Sequence, residues 1–112
     1  MKEKPREIIT KFCKAISNNK WDKAYQYCQT TWVSNNSIDK LKDYYDELEI
    51  RFIKIIKEVK INDDIYDFDV LCNAKFGKQI RKARLICESK PYHPDINGSW
   101  GINPISFLRK IK

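Results

Sequence analysis

Tyr66, Phe68, Val70, Cys72, Ala74 and Phe76 fall on every second position, and Asp67, Asp69, Asn73 and Lys75 take most of the places between them, with Leu71 the exception. Side chains on a strand point alternately to opposite faces, so this run specifies a strand with one buried and one more polar face. Gly77-Lys78 follows, which fits a two-residue turn with glycine first. That turn pairs Phe76 with Gln79, and then sets Cys72 against Ala83, Val70 against Leu85 and Phe68 against Cys87. Each of those pairs is apolar on both strands, whereas a slip of one residue would place Lys82 and Arg84 in the core. The hairpin Tyr66–Ser89 is therefore expected to form the centre of the molecule. Its second face would pair Asn73 with Lys82, Leu71 with Arg84 and Asp69 with Ile86, a mixed surface of the kind that is more often covered than bare.

The chain before the hairpin changes period. Pro5 suits a first helical turn, and Ile8, Ile9, Phe12, Cys13 and Ile16 make one stripe at 3.6-residue spacing, predicting a helix over roughly 4–17. Ser17-Asn18-Asn19 breaks it. A second helix is expected to carry Trp21, Ala24, Tyr25, Cys28 and Trp32 on one side, and a third, N-capped by Ser37, to carry Leu41, Tyr44, Tyr45 and Leu48. From about Ile50, Ile53, Ile55, Val59 and Ile61 alternate with polar residues as a strand, and Ile56 breaks the alternation in the manner of a bulge or a doubly covered strand. After the hairpin, residues 90–98 read as a loop and Ser99–Asn103 as a last strand that Pro104 ends. Helices first and strands afterwards define the α+β class. The 112 residues suffice for one domain, with helices over about 4–48 and the sheet over about 50–112.

Composition bounds the partners. The net charge of +7 is spread along the chain and favours acidic partners, although a solvated basic surface is the plainer reading. The charged start, Met1 to Glu7, has no apolar export segment, and no stretch reaches the roughly 20 apolar residues of a membrane span, so a cytoplasmic protein is expected. Cys13, Cys28, Cys72 and Cys87 form no C-x-x-C pair and lie in phase with their apolar neighbours, as reduced core thiols would.

This order resembles the nuclear transport factor two-like superfamily, whose helices close a cone against a curved antiparallel sheet. Asn18-Asn19-Lys20-Trp21-Asp22-Lys23-Ala24-Tyr25 is similar to that family's junction between its first two helices, which usually has glycine or a similar small residue where Asn19 stands. Gly98-Ser99-Trp100-Gly101-Ile102 is similar to the opening of its final strand, although Pro104 cuts that strand short. The resemblance implies N-terminal helices packed on a curved sheet of about four strands, a cone open to ligands in some members, and dimers formed sheet to sheet in others. The superfamily includes isomerases, dehydratases, carriers and accessory domains, and its fold does not select among them.

The residues argue against acid–base catalysis. The inward hairpin face carries no carboxylate, Asp67 and Asp69 point outward, and the sole histidine, His93, sits in a proline-flanked loop near Asp95. No phosphate-binding loop, zinc-binding or serine-nucleophile motif is present. No catalytic residue, metal or cofactor is therefore expected. Three binding modes remain. A protein-interaction or accessory domain, possible as a homodimer, would use Leu71, Ile80, Lys82, Arg84 and Ile86 of the outward sheet face. A small-molecule cone would be lined by Tyr25, Tyr45 and Trp100. Nucleic acid would be held by the basic arm over 75–90, where Lys82 and Arg84 share a face but no aromatic is interleaved as a stacking platform.

Overall fold

The computed structural model describes residues 3–111; Met1, Lys2 and Lys112 lie outside the described residues. In α1 (Pro5–Ser17), Pro5 occupies the first turn and Glu7 accepts the Lys4 N–H at 3.2 Å. The stripe Ile8, Ile9, Phe12, Cys13 and Ile16 is buried along its length. The single helix expected next is divided into α2 (Trp21–Gln26) and α3 (Thr30–Asn35). Between them the backbone straightens, and Cys28 forms a parallel bridge with Ile102. Ile102 N–H donates to the Tyr27 carbonyl, and Gln29 N–H donates to the Ile102 carbonyl, both at 2.8 Å. A distant strand has overridden the local helical period there. Gly101 makes the approach possible, because a Cβ at that position would lie 2.5 Å from Gln29 Cα. In α4 (Ile38–Tyr45) the Ser37 hydroxyl caps the first turn, as expected, accepting the Lys40 N–H at 3.4 Å. The helix stops before Leu48, whose carbonyl instead accepts the Lys75 N–H at 3.0 Å and ties the hairpin turn down.

The strands form one antiparallel sheet. β1 (Arg51–Asn62), β2 (Ile65–Ala74) and β3 (Gly77–Lys90) lie side by side in chain order. The two-residue β4 (His93–Pro94) pairs with the end of β3, and β5 (Ser99–Asn103) pairs with β3 from Arg84 to Glu88. The molecule is thus α+β, with N-terminal helices packed against a sheet of four strands and one short addition. Pro104 ends β5 as the sequence requires.

The hairpin register differs from the expected one. Ala74 pairs with Gly77, so Lys75 and Phe76 form the turn and Gly77 closes it at φ +118. Cys72 then opposes Gln79, Val70 opposes Arg81, Phe68 opposes Ala83 and Tyr66 opposes Leu85. The displacement is four residues on β3, an even number, so the inward set of Phe68, Val70, Cys72, Ala83, Leu85 and Cys87 is kept and all six are fully buried. Phe76, expected inside, is 89% exposed at the turn, and Arg81, expected near the tip, lies buried on the inward face.

Arg81 has a defined task there. Its Nη1 donates to the carbonyls of Phe107 at 3.2 Å and Leu108 at 3.1 Å, and Gln79 Oε1 accepts from its Nε and Nη2. These bonds hold the 3₁₀ turn Ser106–Leu108 against β3, where the chain end continues as an edge: Lys82 N–H donates to the Arg109 carbonyl and Ile111 N–H to the Ile80 carbonyl. The turn delivers Phe107 to the centre of the core. Phe107, Phe12 and Tyr45 meet edge to face with ring centroids 6.0–6.1 Å apart, and the Tyr45 hydroxyl donates to the Pro104 carbonyl. All four cysteines are buried free thiols. Burial pushes the Cys13 thiol well up and the Cys28 thiol up as well, away from the reactive thiolate.

This register makes Phe76→Ser a discriminating substitution. An exposed turn residue should change unfolding free energy by less than about 0.5 kcal/mol. A urea-unfolding loss of several times that value would mean that Phe76 is buried, as the alternative pairing requires.

Candidate interaction surface

The face of the sheet turned away from α1 is built as a series of matched rungs. Leu71 opposes Ile80, Asp69 opposes Lys82, Asp67 opposes Arg84 and Ile65 opposes Ile86. The pairs expected for this face, Asn73–Lys82, Leu71–Arg84 and Asp69–Ile86, are replaced because the turn lies two residues earlier in the chain. The replacement puts acid beside base and apolar beside apolar, which is the favourable arrangement for directly opposed side chains. Leu71, Ile80, Lys82 and Ile86 are each half-buried and Arg84 is exposed, so the five candidate interface residues do share one surface.

Asp67 is the electrostatic centre of that surface. Arg84 Nε donates to Oδ1 at 2.8 Å and Nη2 to Oδ2 at 3.0 Å, a two-pronged pair, while Lys82 Nζ lies 3.8 Å away. The Asp67 side chain is nearly buried beneath them. The bond from Arg84 holds the carboxyl below its ordinary value, and the same bond raises the Arg84 guanidinium. Two of the cations proposed for nucleic-acid contact are therefore already committed to a carboxylate, and a third, Arg81, is inside the protein.

β1 completes the surface in a way its sequence disguises. Register shifts fall between Phe52 and Lys54, between Ile55 and Lys57, and between Lys60 and Asn62. Phe52 and Ile55 face Cys72 and Val70 and pack on the core. Each shift adds a residue on β1, and that residue is an isoleucine: Ile53, Ile56 or Ile61. The bulge at Ile56 was legible from its broken alternation, but the expected common face of Ile53, Ile55, Val59 and Ile61 is not formed. Ile53, Ile56, Val59 and Ile61 are instead 38%, 43%, 38% and 47% exposed. They lie on an edge strand with Lys54, Lys57 and Lys60, and the bulges and lysines together hinder another chain from adding to that edge.

The three residues expected to line a cone pocket are engaged in separate contacts. Tyr45 is buried between Phe12 and Phe107, and the Tyr25 hydroxyl donates to the carbonyls of Asn36 at 2.6 Å and Val33 at 3.1 Å. Trp100 lies elsewhere, edge-on to Tyr66 with centroids 5.3 Å apart. The three residues do not converge. His93 and Asp95 are likewise engaged locally, with His93 Nδ1 3.1 Å from the Pro91 carbonyl and Asp95 Oδ1 accepting the Asn97 N–H. Among the described residues no three His, Cys, Asp or Glu side chains gather as a metal site would need. No helix of the described residues is long and apolar enough to cross a membrane.

One buried carboxylate escaped the sequence reading. Glu88, at the far end of β3, accepts bonds from Gln29 Nε2 at 3.3 Å, from Thr31 N–H at 3.0 Å and from the Thr31 hydroxyl. It fastens α3 to the sheet. Its position next to Gln29 depends on the straightened segment between α2 and α3, which no local pattern announced. Compared with protein-family models and with curated proteins, the chain matches none.

The Asp67–Arg84 pair has a pH signature. Since the folded carboxyl sits below the ordinary 3.8, the pair stabilises the fold above that value, and the contribution disappears as pH falls through the lowered one. Asp67→Asn should cost about 1 kcal/mol near neutrality, because water screens the partly exposed Arg84, and flatten the acid limb of a stability–pH profile. An acid limb identical to that of the parent protein, measured by urea unfolding between pH 2 and 7, would show that the pair contributes nothing.

Proposed function

We propose that this protein is a non-enzymatic interaction domain that associates with a second copy of itself through the outer face of the sheet. The observation that carries the reading is the set of half-exposed Ile53, Ile56, Val59 and Ile61 beside a ladder of matched rungs. Four partly exposed aliphatic side chains on one strand exceed the scattered single ones of an ordinary surface. A second copy fits because the ladder is self-complementary. A twofold axis running between β2 and β3, parallel to them, lays each β2 over the other copy's β3. Leu71 then meets Ile80, Asp69 meets Lys82 and Ile65 meets Ile86. Homodimers most often close by such a twofold contact. The bulged, lysine-bearing edge of β1 favours contact through the face over strand addition.

The burial of Tyr45 between Phe12 and Phe107 supports a role at the surface over one in the interior. The commitment of Lys82 and Arg84 to Asp67 likewise favours a protein partner over a phosphate backbone on this face.

Sedimentation equilibrium tests the reading. The parent chain should show a concentration-dependent dimer, and Ile56→Asp combined with Val59→Asp should shift it to monomer with little change in the unfolding free energy of the monomer itself, because both side chains are exposed there. A parent chain that stays monomeric up to its solubility limit would overturn the self-association.

A further inference from the structure

Away from the sheet face, the junction of α1 and α2 gathers basic side chains around a depression of about 250 Å³. Lys11, Lys14, Lys20 and Lys23 line it, with Tyr27 at one end. Tyr27 also lines a second, larger depression of about 470 Å³, together with Gln26, Asn97, Ser99 and Trp100. The two share the half-buried Tyr27 ring and are further joined where Lys11 Nζ contacts Glu3 Oε2 at 2.7 Å. The two depressions adjoin at Tyr27 and differ in chemistry.

The basic end carries four lysines, with the Glu3 carboxylate on Lys11 and Glu7 beside Lys11 and Lys14 along α1. Among the described residues Lys14, Lys20 and Lys23 form no ion pair, in contrast to Lys82 and Arg84 on the sheet. Part of this charge suits the C-terminus of α1, where cations offset the exposed carbonyls. Lys14 alone would serve that purpose, and Lys20 and Lys23 lie beyond the helix. The other end offers two partly exposed aromatic rings, Tyr27 and Trp100, and the side-chain amides of Gln26 and Asn97. Flat apolar faces with a few polar groups between them are what an aromatic heterocycle needs, and the volume lies in the range of small-molecule sites.

We infer that the two depressions together bind a nucleotide unit, with phosphates among Lys14, Lys20 and Lys23 and the base against Tyr27 and Trp100. The unit is either a free nucleoside triphosphate or part of a single strand; both present a base joined to phosphates. Neither end alone supports the assignment, since lysines alone would hold any polyanion and aromatic rings alone would not require charge.

Isothermal titration with ATP, with a short oligothymidylate and with inorganic tripolyphosphate separates the possibilities. Saturable binding of ATP or of the oligonucleotide, tighter than that of tripolyphosphate, is expected, and whichever of the two is tighter identifies the source. Lys20→Glu with Lys23→Glu, both at exposed positions, should weaken nucleotide binding at least tenfold while leaving the melting temperature unchanged. Tyr27→Ala should weaken nucleotide about tenfold and leave tripolyphosphate binding unaltered. Absence of saturable binding by both nucleotide probes overturns the inference. So does tripolyphosphate binding as tightly as the nucleotides, or a Tyr27→Ala variant that binds them undiminished.

Discussion

The packing of Phe12, Tyr45 and Phe107 depends on the whole chain being in place, and the rest of the fold is arranged around it. Phe12 comes from the first helix, Tyr45 from the last residue of α4, and Phe107 from a turn near the C-terminus. The Tyr45 hydroxyl must also find an acceptor once buried, and the Pro104 carbonyl provides it at the point where proline has stopped β5. Arg81 fixes the turn that delivers Phe107. A buried guanidinium is tolerable only because every nitrogen has an acceptor, two backbone carbonyls and the Gln79 amide oxygen. The same three rings that stabilise the molecule join helices to sheet, so the packing between the two layers depends on residues from both ends of the chain.

Much of the architecture was legible because it rests on period. The stripe of α1, the Ser37 cap, the inward face of the hairpin and the stop at Pro104 each follow from local spacing or local stereochemistry. The hairpin register was legible only in parity. An even displacement keeps every side chain on its face, so parity could not choose between a turn at Gly77-Lys78 and one at Lys75-Phe76, and apolar pairing favoured the first although the observed register sets Cys72 against Gln79 and Val70 against Arg81. The opposite face could: only the observed register sets Asp67 against Arg84 and Asp69 against Lys82. Charge pairing on the solvent side carried the information that the core lacked.

What could not be read locally was decided by distant partners. The helical period through Tyr25, Cys28 and Trp32 is genuine, yet it yields to two backbone hydrogen bonds with Ile102 that no nearby residue signals. The isoleucines of β1 were misassigned because three bulges reset the alternation within twelve residues. For the candidate surface, the five residues taken from the hairpin do lie together, whereas Tyr25, Tyr45 and Trp100 were grouped by residue type and serve three separate structural roles.

The bridge between Cys28 and Ile102 joins positions more than seventy residues apart, and it sets an order on assembly. During synthesis the helices emerge first, but the segment between α2 and α3 has no strand to pair with until residues 99–103 have left the ribosome. Until then Cys28 and its neighbours are free to follow their local preference and continue the helix. Strand β5 thus settles the break between α2 and α3, and a chain lacking residues 99–103 loses the two backbone hydrogen bonds that hold that segment out of the helix.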